Sequence, residues 1–276
     1  MFSSVGFIGT GTMGSALARA AVKGAQGAPI FLANRSPKKA RNLAKELNEQ
    51  SIGGSVATAT TNEVIARHCS IIFLAVKPQI IPGMLATIAP ILAARTDHFV
   101  LASLAAGVDA KRIRELVGGD YPVICLMPNT PVEIGAGMVQ YCGEGTTPEE
   151  LADFEALLSS AGLVDQVNAN RMIAATAVSG CGPAFCAIFV EAIADAGVAC
   201  GLPRDKAQLY AAQMVYGTAR LMLENNLHPG QLKDGVCSPA GSTIQGVRTL
   251  EARGFRSAAF EAVLAAYEKT VEMGDV

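Results

Sequence analysis

A glycine-rich turn near the start of the chain restricts the fold more than any other feature. The segment GFIGTGTMGSALA presents Gly9, Gly11 and Gly14 as G-x-G-x-x-G, after a short apolar run and before an amphipathic stretch. This order of elements is typical of a dinucleotide-binding βα unit, where the glycines permit the tight turn, admit a pyrophosphate and let helix pack on strand. We predict that the cofactor also contacts the residues between them, Thr10, Thr12 and Met13.

Alternating β-rich and amphipathic segments extend this unit into an α/β domain. The strands are predicted at residues 4–8, 30–33, 71–76, 99–103 and 123–127. The run IIFLAV is apolar throughout, as expected for a central strand with helices on both faces. We therefore predict a Rossmann domain, a doubly wound parallel sheet, over residues 1–167.

Beyond residue 167 the chain changes character, because β-branched runs disappear and alanine becomes frequent. Apolar residues at i, i+3 and i+7 predict a helix over 204–225 and another after Gly254. Residues 172–190 carry no charge, so a membrane span is an alternative, but SGCGP at the centre and the acidic residues that follow favour a buried interface helix. We predict an all-α dimerisation domain over 168–276 and an obligate homodimer, because a lone helical tail leaves much apolar surface in water.

Composition narrows the classes of function. A net charge of -2 gives no general attraction to nucleic acid or to a membrane surface. Seven cysteines without a C-x-x-C motif suit a reducing compartment, so we expect a cytoplasmic protein without disulfides. The 3 histidines are scattered, and we predict no metal site.

The end of the second predicted strand indicates which dinucleotide binds. Asn34 stands where an NAD-specific protein carries an acid, and Arg35 and Ser36 follow it. A guanidinium and a hydroxyl can bind a 2′-phosphate, which a carboxylate would repel. NADPH is favoured, with NADH as the alternative. The lysines after Ser36 are interpreted as a solvated helix face.

Further loops at strand ends should meet the same cofactor. In AVKP and SLAAGV the candidates are Ala75, Val76, Lys77, Pro78, Ala105 and Ala106. Lys77 can serve as phosphate ligand or acid, although a backbone contact is an equal alternative, and Asn62 either binds the cofactor or caps a helix. In MPNTP, Pro128 and Pro131 are expected to hold Asn129 in a non-helical loop that orients the nicotinamide amide.

Motifs along nearly the whole chain resemble those of the pyrroline-5-carboxylate reductases. They are GFIGTGTMG, NRS, FLAVKP, SLAAGV, MPNTP, SGCGPAF, HPGQLKDGVCSPAGSTI and LEARGFRSA, in this order. The resemblance implies reduction of the cyclic imine 1-pyrroline-5-carboxylate to L-proline by NADPH or NADH. It also implies a Rossmann domain followed by an intertwined helical dimer, which in many members assembles into a decamer.

The resemblance further implies a substrate loop in DGVCSPAGSTI. Ser238 and Ser242, with the amides of Gly241 and Ser242, would hold the substrate carboxylate at a helix N-terminus. Thr243 would bond the ring nitrogen and is the predicted catalytic residue. Alternatively, Ser242 only caps the helix, because it begins the capping-box pattern S-x-x-Q.

Three positions depart from the family pattern, and two other functions remain as alternatives. Ala240 and Ser242 replace residues that in many members are glycine and threonine or alanine, and Asn226 replaces a glutamate of some relatives. The loop offers no obvious proton donor, so the imine is expected to bind protonated and to react mainly through proximity. The rival functions are a β-hydroxyacid dehydrogenase, whose helical-domain lysine is missing from SGCGPAFCAIF, and a non-catalytic NADP-binding redox sensor.

Overall fold

The computed structural model describes residues 1–50 and 55–274. The chain divides into two compact units. The first unit comprises Met1–Gly180 together with the end of the chain from Tyr267, and the second comprises Cys181–Ala266.

The first unit is built on one sheet of eight strands. They are β1 Val5–Ile8, β2 Ile30–Ala33, β3 Val56–Thr58, β4 Ile71–Leu74, β5 Val100–Ser103, β6 Val123–Pro128, β7 Gly137–Glu144 and β8 Gly162–Gln166. Their order is β3-β2-β1-β4-β5-β6-β7-β8. The first six strands are parallel in the order typical of a Rossmann domain, which confirms the predicted fold class.

Helices cover both faces of this sheet. They are α1 Thr12–Gly24, α2 Pro37–Glu49, α3 Asn62–His68, α4 Ile81–Ala93, α5 Ala110–Val117 and α6 Pro148–Leu158. One apolar cluster joins the sheet to α1, α2 and α6, and a second joins it to α3, α4 and α5. All four residues of β4 are buried, as its unbroken apolar run predicts.

Three strands of the sheet were not predicted. β3 is only three residues long, β7 pairs antiparallel to β6, and β8 pairs parallel to β7. β7 contains glycines and polar residues, and β8 is partly exposed, so neither carries a strong apolar pattern. The predicted strand 71–76 also ends early, at Leu74.

The first unit ends in a distorted helical segment. A 3₁₀ turn at Ala169–Arg171 leads into α7, Met172–Ala175, which continues as a π-helical turn, Thr176–Gly180. The uncharged residues 172–190 therefore do not form one regular α-helix. The π-helical turn, which is wider than an α-helical one, divides them into two helical segments. The stretch Ala169–Ala199 is long and apolar enough to cross a membrane, a test that core helices of soluble proteins also pass.

The remaining helices are α8 Gly182–Ala199, α9 Arg204–Asn225, α10 Pro229–Val236, α11 Ser242–Ala252 and α12 Phe255–Gly274. α9 has the predicted bounds, and α12 begins after Gly254, which adopts a left-handed φ of 74°. α8 and α9 pack through Ala194, Ala207 and Ala211, the three buried residues that the structure describes in the second unit.

Candidate active site

The glycine turn between β1 and α1 is built by close backbone contacts. Gly9 has a φ of 107°, a left-handed conformation that favours glycine. A Cβ atom at Gly9 would collide with the carbonyl oxygen of Ala75, and one at Gly14 with that of Gly9. By contrast, a Cβ at Gly11 would meet nothing within 4 Å. Two glycines thus close the turn, while the third leaves open space.

Within the part of the chain that the structure describes, several polar groups of this turn have no partner. α1 has Gly11 as its N-cap, with no capping side chain and no acid in its first turn. The first amides of a helix lack partners inside the helix and carry positive dipole charge. The Thr10 hydroxyl is buried and has no hydrogen-bond partner among the described residues. Free donors, no negative charge and open space at Gly11 together fit the pyrophosphate of a dinucleotide.

The end of β2 presents an unpaired cation. Arg35 is exposed and makes no ion pair or hydrogen bond within the described chain. Asn34 donates from Nδ2 to the carbonyl oxygen of Ser36 at 3.3 Å, which shapes the bend before α2. Lys45, by contrast, lies 3.7 Å from Glu49 on the exposed face of α2. Arg35 is therefore free to meet an anion, whereas Lys45 belongs to the solvated face predicted for this helix.

Loops after β4 and β5 reach the same edge of the sheet as the glycine turn. Ala75 donates its amide to Ile8 at 2.8 Å, and the half-buried segment from Ala75 continues to Lys77, which is exposed. Ala105 is buried and Ala106 half-buried, so this loop adds small side chains. Asn62 is the first residue of α3, but the N-cap is Thr61 and no side chain caps the helix. The capping alternative for Asn62 is thus wrong.

The MPNTP loop differs from the prediction. A 3₁₀ helix spans Thr130–Ile134, so the loop is helical beyond Asn129, because proline is tolerated in the first turn of a helix. Asn129 itself is extended. Its Oδ1 accepts from the Met138 amide at 2.8 Å, and its Nδ2 donates to the carbonyl oxygen of Ser179 at 3.1 Å. The amide of Asn129 therefore ties β6, β7 and the π-helical turn together.

Gln140 holds the same turn from β7 and was missed from the sequence. It is buried, and its Nε2 lies 2.5 Å from Ser179 Oγ, which in turn donates to the carbonyl oxygen of Ala175 at 3.0 Å. Its Oε1 has no hydrogen-bond partner in the described chain. No short-range pattern marks Gln140, because its partner lies 39 positions away.

The predicted substrate loop lies in the second unit, between α10 and α11. Ser238, Ser242 and Thr243 are exposed, and their hydroxyls have no partner within the described chain. The N-cap of α11 is Gly241, without a side-chain cap. The capping alternative for Ser242 is therefore wrong, since Ser242 is the first residue of the helix. The loop thus offers three free hydroxyls at a helix N-terminus.

Backbone conformation determines which amides of this loop are free. The Gly241 amide donates to the Ser238 carbonyl oxygen at 3.0 Å, which closes the turn. The first helical amides, from Ser242 and Thr243, are the donors left for a ligand. Ala240 has a φ of 56°, unusual for a residue other than glycine, while Asn226 ends α9 at a φ of 49°. Asn226 thus has a structural role in ending its helix.

The functional groups at the turn before α1, at the end of β2 and in the loop before α11 are hydroxyls, backbone amides and the Arg35 guanidinium. Among the described residues, no group of three or more His, Cys, Asp and Glu side chains is placed to hold a metal ion. Hydroxyls and helix amides bind anions such as phosphates and carboxylates. Each unit therefore presents a helix N-terminus whose donors suit an anion.

Comparison with known families assigns both parts of the chain. Residues 4–106 match a family described as NADP oxidoreductase coenzyme F420-dependent. Residues 169–273 match the family described as pyrroline-5-carboxylate reductase dimerisation. The C-terminal region is thus a dimerisation domain, which indicates a homo-oligomer.

Similar proteins extend the match to full length. The pyrroline-5-carboxylate reductase of Synechocystis is 40% identical over 275 residues, 99% of each chain. The Escherichia coli enzyme is 36% identical over 276 residues, again 99% of each chain. The crystal structure of Plasmodium falciparum pyrroline carboxylate reductase with NADP bound is 32% identical, with a TM-score of 0.82 over 98% of each chain.

A Rossmann sheet with a free glycine turn, followed by a helical dimerisation domain, defines an NADP-dependent oxidoreductase. Full-length identity to the relatives above specifies the family. The chain belongs to the pyrroline-5-carboxylate reductases.

Proposed function

We propose that this protein reduces 1-pyrroline-5-carboxylate to L-proline with NADPH, the last step of proline biosynthesis. The observation that carries this proposal is the 40% identity to a reductase of that name, which spans the glycine turn and the loop before α11 alike. The rival functions lack such support. A solved 3-hydroxyisobutyrate dehydrogenase is only 17% identical and shares the fold alone.

The cofactor site is assigned to the carboxyl edge of the sheet. The amides at the start of α1 would hold the pyrophosphate, and the open space at Gly11 lets it approach. Arg35 would pair with the 2′-phosphate, because it is exposed and pairs with no acid among residues 1–50 and 55–274. When bound, the cofactor supplies a hydride from its nicotinamide ring.

Small side chains at the neighbouring strand ends leave room for the rest of the cofactor. The segment from Ala75 to Pro78 would line it through backbone groups, and Ala105 and Ala106 leave room for a ribose or nicotinamide. Asn62 remains a candidate cofactor-binding residue, since its side chain does not cap α3. Asn129 has its side-chain amide engaged by Met138 and Ser179, so we assign it the role of fixing the loop that borders the nicotinamide.

The loop before α11 would bind the substrate carboxylate. Ser238 and Ser242 provide hydroxyls, and the free amides of Ser242 and Thr243 provide charge-compensating donors at the helix N-terminus. Gly241 keeps the turn tight, because a Cβ there would lie 3.1 Å from the Ser238 carbonyl oxygen. A small anion is thus held without a large cationic side chain.

Thr243 is assigned to the ring nitrogen. Its hydroxyl is exposed and has no partner in the described part of the chain, so it can bond the imine group directly. No acid lies in the loop from Cys237 to Thr243, so the imine is proposed to arrive protonated, which makes its carbon a better hydride acceptor. The chain then accelerates the reaction mainly by orientation, which alone can provide about 7 to 11 kcal/mol.

We further propose an obligate homodimer in the cytoplasm, with a decamer as a higher assembly. The dimer is supported by the dimerisation domain and by exposed apolar side chains of the second unit, such as Leu209 and Leu223. Cytoplasmic location is supported by the seven cysteines, an odd number without a C-x-x-C motif, which suit a reducing compartment.

An assay of NADPH absorbance tests the activity. Steady oxidation of NADPH is expected after addition of 1-pyrroline-5-carboxylate, and none with hydroxyacid or ketoacid pairs. The same protein with Thr243→Ala should lose turnover but retain NADPH binding, measured by fluorescence titration. Oxidation with ketoacids would support the dehydrogenase alternative, and no oxidation with any substrate would support the redox sensor.

A further inference from the structure

Two cysteines lie directly opposite each other in the sheet. Cys125 of β6 pairs in register with Cys142 of the antiparallel β7. Opposed residues of an antiparallel pair share one face, with Cα atoms about 4.5 to 5.5 Å apart. A disulfide joins Cα atoms about 4.4 to 6.8 Å apart. The backbone thus already holds these cysteines at a spacing that a disulfide spans.

Their thiols also interact with each other. They are within hydrogen-bonding reach, and a hydrogen bond from Cys125 lowers the pKa of Cys142 while raising that of Cys125. Both residues are only partly buried. Cys69 differs, because it is fully buried and burial raises the pKa of its thiol to about 12. Cys142 is therefore the better nucleophile of the pair.

We propose that Cys125 and Cys142 form a redox modification site, which low-molecular-weight disulfides oxidise to a cross-strand disulfide. The Cys142 thiolate attacks one sulfur of the reagent, so the reagent's S–S bond breaks and one thiol leaves. Cys125 then loses its proton to solvent and attacks the Cys142 sulfur, which releases the second thiol. Two cysteine thiols are oxidised by two electrons, and one disulfide reagent is reduced to two thiols.

The test uses the whole protein and bis(2-hydroxyethyl) disulfide as the probe. An uncharged reagent is chosen because the carboxylates of Asp109 and Glu144 act on the thiols and would repel an anionic one. After denaturation and alkylation, peptide mass spectrometry should show the two cysteine peptides joined and lighter by two hydrogen atoms, with reversal by dithiothreitol. Alkylation of both cysteines, or a persistent reagent adduct on Cys142, would overturn the proposal.

Single variants separate the two steps. Cys125→Ser should stop the reaction at a stable mixed disulfide on Cys142, because the resolving thiol is gone. Cys200→Ser is the matched control, since Cys200 is an exposed thiol of the second unit, and it should leave the cross-strand disulfide unchanged. A joined peptide containing Cys142 in the Cys125→Ser protein would show that another cysteine is the partner and would refute the assignment.

Discussion

The two units of this chain bury apolar side chains to very different extents. In the first unit, two clusters fill both faces of the sheet, with large residues such as Phe7, Phe73 and Phe154 fully buried. In the second unit, the described residues bury only three alanines completely, while Leu223 is 79% exposed. Burial of apolar surface is the main stabilising contribution to folding. The sheet unit therefore completes its own core, whereas the helical unit, which matches a dimerisation family, leaves large apolar side chains exposed.

The largest effect is expected in the core of the first unit. The Phe73 ring stacks at 4.4 Å on Phe7 and lies 6.2 Å from Phe154, between centroids. Phe73→Ala should lower the free energy of unfolding by about 3 to 5 kcal/mol, because it leaves a cavity. Urea denaturation measures this. Ile134→Ala is the control, since Ile134 is 82% exposed and should change stability little. Similar losses in both variants would contradict a self-contained core.

Substitutions in the second unit should affect self-association more than substitutions in the first unit. We expect Leu223→Ser to weaken self-association by about tenfold to a hundredfold, because about 1.5 to 3 kcal/mol of apolar burial is lost. Sedimentation velocity over a dilution series measures this. Leu163→Ser is a matched control, since Leu163 is 60% exposed on β8 of the first unit and should leave the assembly unchanged. Equal effects of the two variants would contradict the prediction that self-association depends on the second unit.

A substitution at the proposed cofactor site of the first unit should weaken ligand binding and leave self-association unchanged. Arg35→Ala is expected to weaken NADPH binding by about tenfold to a hundredfold, because a charge-assisted hydrogen bond of about 1.5 to 3 kcal/mol is lost. NADH affinity should stay the same. Fluorescence titration with both cofactors measures the change, and Lys45→Ala is the control from the same region. An unchanged preference would remove Arg35 from the 2′-phosphate site.

The smallest effect concerns the backbone of the loop before α11. Ala240→Gly should stabilise the protein by roughly 0.5 to 1 kcal/mol, because Ala240 has a left-handed φ of 56° that glycine adopts freely. Ala212→Gly within α9 should instead destabilise it by a similar amount. Thermal unfolding of both variants at one protein concentration tests the difference in sign. Destabilisation by Ala240→Gly would show that the loop is not strained.

Local patterns predicted much of the fold and part of the candidate site. The glycine spacing predicted the turn that Gly9 and Gly14 close, and the apolar run predicted the buried β4. The apolar periodicity of α9 and the turn residues around it predicted both helix ends. These features depend on contacts within a few residues, or on backbone preferences of single residues, so they are readable along the chain.

Other features depend on contacts between distant residues. β7 is a strand because it pairs with β6, and Gln140 matters because Ser179, 39 positions later, lies against it. Neither the left-handed Ala240 nor the N-cap at Gly241 follows from residue type, since the motif S-x-x-Q favoured Ser242 as the cap.

By itself, the sequence determined the Rossmann fold, the dinucleotide turn and the helical character of the C-terminal region, because apolar periodicity and glycine conformation act locally. Only the tertiary structure decided that Cys125 faces Cys142, that Asn129 and Gln140 both hold the π-helical turn, and which groups stay free for ligands. The physical reason is that strand register and hydrogen-bond satisfaction involve residues that meet only after the chain has folded.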